Sequence, residues 1–89
     1  MSTQVSDWRA AIDVLDRQLL NLLNIRAKLA YELAKVKREC GMEIVDPERE
    51  QQVLDRVRRS NDGPFDHDAI TRIFQSIIQE ARRVQAGAE

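Results

Sequence analysis

From Trp8 to Cys40 the pattern-setting positions recur in alternating steps of four and three: Trp8, Ile12, Leu15, Leu19, Leu22, Arg26, Leu29, Leu33, Val36 and Cys40. All but Arg26 are apolar, and the period is that of one continuous helix packed along its length on other helices. Ser6 or Asp7 offers an N-cap, no glycine or proline interrupts the run, and Gly41 supplies a stop. Asp46-Pro47-Glu48 then predicts a second helix, opened by a capping acid, a proline in the first helical position and an acid at the positive helix end. That helix carries Val53, Leu54 and Val57 and stops before the turn signal Asn61-Asp62-Gly63-Pro64. A third helix, starting near Asp66 or Asp68, uses Ile70, Ile73, Phe74, Ile77, Ile78, Ala81 and Val84 as its buried stripe. With no alternating strand pattern and no repeat, the predicted fold is all-α: three helices, long, short and medium, in one domain over residues 1–89.

The length of the first helix predicts an assembly. A helix from Asp7 to Cys40 is about 50 Å long at a rise of 1.5 Å per residue. A compact chain of this size has a radius of gyration near ~12 Å and a diameter of roughly 30 Å. The projecting helix would leave its seam in water unless a second copy covers it, so an intertwined helical homodimer is expected.

Composition narrows the function. Charged residues make up 33% of the chain while the net charge is only −1, so acids and bases interleave. A nucleic-acid or membrane-surface binder would carry a clear basic excess, and neither partner is expected. Cys40 and His67 are the only cysteine and the only histidine, which removes an internal disulfide, a thiolate metal cluster and most zinc sites. Cys40 reads as a small buried apolar residue, His67 as a first-turn residue of the third helix and Trp8 as a core anchor. The polar stretch from Met1 to Asp7 does not resemble a signal peptide, and no apolar run approaches a membrane span. A reduced, cytoplasmic domain is expected.

Several polar residues break the pattern. Arg26 stands in the seam between Leu22 and Leu29, where an unpaired guanidinium is strongly unfavourable. Two readings stay open: a register-setting residue paired with an acid on a partner helix, or a ligand for a bound anion. Lys37 lies eleven residues further, nearly a whole number of turns, so the two cations face the same way with about 16 Å of axial rise between them. Alone, Lys37 reads as a solvated lysine favoured by the helix C-terminus. Arg9 is too far along the same helix to join Arg26, although in an antiparallel dimer a partner's Arg9 approaches it. Arg49 and Glu50 read either as a solvated first turn or as groups held at a pocket mouth beside Asp46. Gln85 extends the third helix's stripe of Phe74, Ile77, Ile78 and Ala81, and alone it reads as a hydrogen-bonding residue at a frayed helix end.

Taken in order, these residues resemble the all-α chorismate mutases. The resemblance is carried by Trp8-Arg9-x-x-Ile12-Asp13-x-Leu15-Asp16, Leu19-Leu20-x-Leu22-Leu23-x-x-Arg26, Lys35-x-Lys37, Asp46-Pro47-x-Arg49-Glu50, and Ile77-Ile78 through Gln85. Each motif is weak, but the ordered set covers nearly the whole chain. The resemblance implies an intertwined three-helix homodimer that converts chorismate to prephenate, in phenylalanine and tyrosine biosynthesis, without a cofactor. It implies that Arg26 and the partner's Arg9 hold the substrate carboxylates, and that Lys37 and Gln85 donate to the ether oxygen. Glu50 and the backbone near Asp46 would fix the ring hydroxyl, with Arg49 supporting that polar wall; Arg26, Lys37 and Gln85 are the expected catalytic residues. The chain departs from the family at Ala81, where a serine often stands. Losing that neutral hydrogen bond should weaken binding by about 0.5–1.5 kcal/mol.

Two alternatives accompany this expectation. One is isochorismate pyruvate lyase, which shares the fold and the cations but, in that resemblance, lacks an acid after the arginine matched by Arg49. The other is a helical regulatory or dimerisation module that partners the first enzyme of the aromatic pathway.

Overall fold

The computed structural model describes residues 2–87, and these form three helices: α1 (Ser2–Glu39), α2 (Pro47–Ser60) and α3 (His67–Ala86). The predicted order long, short, medium is thus observed. The start of α1 differs from expectation, because Ser6 and Asp7 lie inside the helix instead of capping it. Nothing in Ser2–Asp7 breaks a helix, so the helix runs through the two candidate caps.

The other boundaries follow the cap chemistry. Gly41 adopts φ +69°, its N–H donates to the Arg38 carbonyl, and the Met42 N–H reaches back to Lys37. This paired closure of the last turn is open to glycine because it lacks the Cβ that penalises a left-handed backbone. The Asp46 carboxylate accepts from the Arg49 N–H at 3.0 Å, with Pro47 in the first turn. Asp66 repeats the device, accepting from the Ala69 N–H at 2.7 Å. Between α2 and α3, the Asn61 side chain accepts from the Gly63 N–H and donates to the Phe65 carbonyl, drawing Asn61–Phe65 into the expected turn.

α3 packs on both α1 and α2, whereas among the described residues α1 and α2 do not pack on each other. The face that α1 turns toward α3 differs from the predicted seam. Ala34 is fully buried, and Ala27, Ala30 and Tyr31 are partly covered. These positions repeat at helical spacing, and their alanines let the two backbones approach closely. The large apolar residues of the seam instead face outward: Trp8 is 72% exposed, Leu22 62% and Leu29 65%. Trp8 is therefore not a core anchor within the chain, and Cys40, expected to be buried, is exposed. The α3 stripe is only half covered, with Ile73 and Val84 counting among the exposed large apolar residues. Leu54 of α2 joins Ala34 as the only other buried apolar residue among those described.

The shape follows from α1. Its 38 residues give a rod of about 57 Å, and the molecule measures 59 × 25 × 15 Å with a radius of gyration of 16.7 Å. Both exceed the compact-globule expectation, in the direction the helix length predicts. No described helix is long and apolar enough to cross a membrane.

Candidate active site

Where the last turns of α1 meet the start of α2 and the end of α3, the three helices enclose an open cavity of about 280 Å³. Its polar lining consists of Arg26 and Lys37 from α1, Asp46, Arg49 and Glu50 from the head of α2, and Gln85 from α3. Leu29, Ala30, Leu33, Ile44, Val53, Ile78 and Ala81 supply the apolar wall. Six of the seven residues expected at the site are therefore brought together from three elements. The seventh, Arg9, is absent from this lining. It lies 17 positions before Arg26 on the same straight helix, about 26 Å away along the axis.

Each element places its group for a local reason. Arg26 sits half-buried at the edge of the α1 surface that α3 covers, and it also borders a second, more apolar groove between α1 and α3. Its guanidinium forms no hydrogen bond or ion pair with the described residues, so no acid among them neutralises it. Lys37 is held at the C-terminal turn of α1, its Nζ donating to the Ile44 carbonyl at 3.2 Å. An ammonium has three donors, which leaves two for the cavity. The Gln85 Nε2 donates to the Ala30 carbonyl at 3.2 Å, a contact permitted by the alanine face of α1. That bond fixes the amide against the cavity wall and leaves its second N–H free to donate. Asp46 spends its side chain on the α2 cap, and this brings the next turn, with Arg49 and Glu50, to the cavity rim.

Glu50 is not free. Arg82 of α3 grips its carboxylate with two bonds, Nε to Oε2 at 2.8 Å and a second from its terminal Nη2 to Oε1. The Glu50 partner raises the Arg82 pKa, chiefly by the side-chain hydrogen bond and next by charge attraction, so this guanidinium stays cationic. Arg82 escaped the sequence reading because it lies in the charged run Glu80-Ala81-Arg82-Arg83, which reads as a solvated face. Its partner is 32 residues away, a separation at which sequence spacing carries no signal.

The arrangement defines a class before it defines a family. The cavity presents three cations, two acids and a neutral amide on apolar walls. No histidine or cysteine is among its lining residues. Three cations on apolar walls suit an anion with an apolar body.

Comparison with known proteins gives the family. Residues 8–86 match the model of chorismate mutase type II. A chorismate mutase from Methanocaldococcus jannaschii is 33% identical over 86 residues, covering 96% of this chain and 87% of that protein. A bifunctional chorismate mutase/prephenate dehydratase from Aquifex aeolicus is 34% identical over 79 residues, and the chain spans only 22% of its length. Among solved structures, the chorismate mutase from Helicobacter pylori in complex with prephenate superposes with a TM-score of 0.87 at 29% identity, covering 97% of this chain and 93% of that one. The chain belongs to the type II chorismate mutase family.

Proposed function

We propose that this chain rearranges chorismate to prephenate in the cavity between its three helices, and that it does so as a homodimer with two equivalent sites. The observation that carries the reading is the convergence of Arg26, Lys37, Asp46, Arg49, Glu50 and Gln85 on one cavity, within a chain of this family. The relative with prephenate bound supports the same chemistry.

The rearrangement is unimolecular: one C–O bond breaks while one C–C bond forms, and no proton or electron is exchanged with the protein. The protein's task is to hold a flexible dianion in its compact reactive conformer and to stabilise the ether oxygen as negative charge develops there. Arg26, with no acid to pair with among the described residues, offers its fork to a substrate carboxylate. Lys37 donates to the ether oxygen through its remaining N–H groups and also reaches a carboxylate. The free N–H of Gln85 donates to the same ether oxygen without needing to titrate. Glu50 accepts from the ring hydroxyl, with the backbone near Asp46 beside it and Arg49 completing the wall. Ala81 lines the cavity as a methyl group, so it adds no hydrogen bond to the substrate.

The second copy is supported by what one chain leaves uncovered. Only Ala34 and Leu54 are buried among the described residues, while the α1 seam and the apolar groove bordered by Leu20, Leu23 and Val84 lie open. A chain this small needs a larger buried core, and a second α1 supplies it. The partner's Arg9 then enters the site that its own chain's Arg9 cannot reach.

Purified protein incubated with chorismate should consume it and yield prephenate, identified by mass and by its acid-catalysed conversion to phenylpyruvate. Salicylate and pyruvate from isochorismate would assign the lyase reaction instead. Failure to bind chorismate in calorimetry would leave the helical interaction module.

A further inference from the structure

We infer that Arg82 is a positioning residue of the site: by gripping both carboxylate oxygens of Glu50 it aims that acid at the substrate hydroxyl and cancels a negative charge that would repel a dianion. The inference rests on the function proposed above. Glu50 lines the cavity, with 23% of its side chain exposed; Arg82 is 46% exposed, is not among the lining residues and stands behind it. The two-point grip joins the first turns of α2 to α3, whereas the ion pairs Glu32–Lys35, Asp55–Arg58 and Glu80–Arg83 each lie within one helix. A fork on a carboxylate fixes direction as well as distance, which a single point charge does not.

The charge balance gives the pair its purpose. Arg26, Lys37 and Arg49 against Asp46 and Glu50 leave this chain's own lining at +1, and the partner's Arg9 of the proposed dimer adds one more cation for a dianion. Arg82 offsets the Glu50 carboxylate, so that this acid does not subtract from the cations facing the substrate. It does so without occupying cavity space, and the carboxylate keeps lone pairs for a hydroxyl donor. Arg82 follows Ala81 and precedes Gln85 by one turn, so one face edge of α3 sets both the Glu50 carboxylate and the ether-oxygen donor.

The test is steady-state kinetics with chorismate on Arg82→Met, Arg82→Lys, Glu50→Gln and the Glu50→Gln/Arg82→Met double variant, alongside thermal melts. Arg82→Met should raise KM about tenfold while kcat changes by less than about threefold, the split expected when ground-state and transition-state binding weaken together. Arg82→Lys should recover part of that loss, because it restores charge without the fork. In the Arg82→Met background, Glu50→Gln should lower KM, because the uncompensated charge is gone. Unchanged KM in both Arg82 variants, with or without a lower Tm, overturns the inference. So does a Glu50→Gln effect that is equal in both backgrounds. Arg26→Ala in the same assay separates the two levels: its inactivity beside a wild-type KM in Arg82→Met removes only the role of Arg82. A wild-type protein that leaves chorismate untouched removes the proposed function and this inference together.

Discussion

Arg26 occupies a position that the helical repeat would give to leucine, and its side chain has no acid among the described residues to pair with. A half-buried cation kept in that state is costly unless something outside the chain completes it. The proposed substrate carboxylate does so. Arg26→Ala should therefore lower kcat/KM by at least about a hundredfold, the scale of losing an ionic contact in a preorganised site. The melting temperature should hold or rise, since an unpaired charge is removed; a variant that unfolds while still turning over chorismate would make Arg26 a structural residue. Gln85 gives a second residue-scale expectation. Its amide donates at any pH, whereas a glutamate donates only while protonated, with an ordinary pKa of about 4.3. Gln85→Glu should therefore be active only on the acid side and lose activity as pH rises. Full activity of that variant at neutral pH would count against the ether-oxygen contact.

At the scale of elements, the site depends on where helices stop and how closely they approach. Gly41 closes α1, Asp46 opens α2, and the short link between them turns the head of α2 back toward Lys37. The opposite wall depends on Ala30 and Ala34, whose small side chains admit α3 and allow the Gln85 contact. Ala34→Leu should force α3 away from α1 and destabilise the fold by about 1–3 kcal/mol, as overpacking does, read by denaturant unfolding. Activity at a temperature where the variant is folded should also fall, because Gln85 would be displaced. Unchanged unfolding and kinetics would show that the α1–α3 contact is not tight.

At the scale of the molecule, α1 is too long for its own chain. Its 38 residues run the 59 Å length of a structure only 25 Å across, with a row of large apolar side chains outward. The proposed dimer covers that row and delivers Arg9. Mixing settles whether Arg9 acts across the interface. Arg9→Ala and Arg26→Ala should each be nearly inactive, but in a hybrid dimer one of the two sites regains both arginines. Random re-pairing of equal amounts should therefore restore about a quarter of wild-type activity, half the dimers being hybrid with one good site each. No recovery after verified re-pairing would place Arg9 outside the partner's site.

Helix number, order and most caps were legible in the chain because they rest on short-range chemistry: apolar periodicity, a proline after a capping acid, a glycine where the backbone turns left-handed. The family resemblance named six residues that do line the cavity, including Gln85, which spacing alone left as an ordinary helix-end amide. Three features required the folded molecule. The alanine face of α1, not its leucine seam, meets α3, because both stripes have helical period and periodicity does not say which faces its own chain. Cys40 is exposed, because its apolar character says nothing about whether a neighbour reaches the helix end. The grip of Arg82 on Glu50 joins residues far apart in sequence on two helices. Such a pair exists only once α2 and α3 are packed side by side.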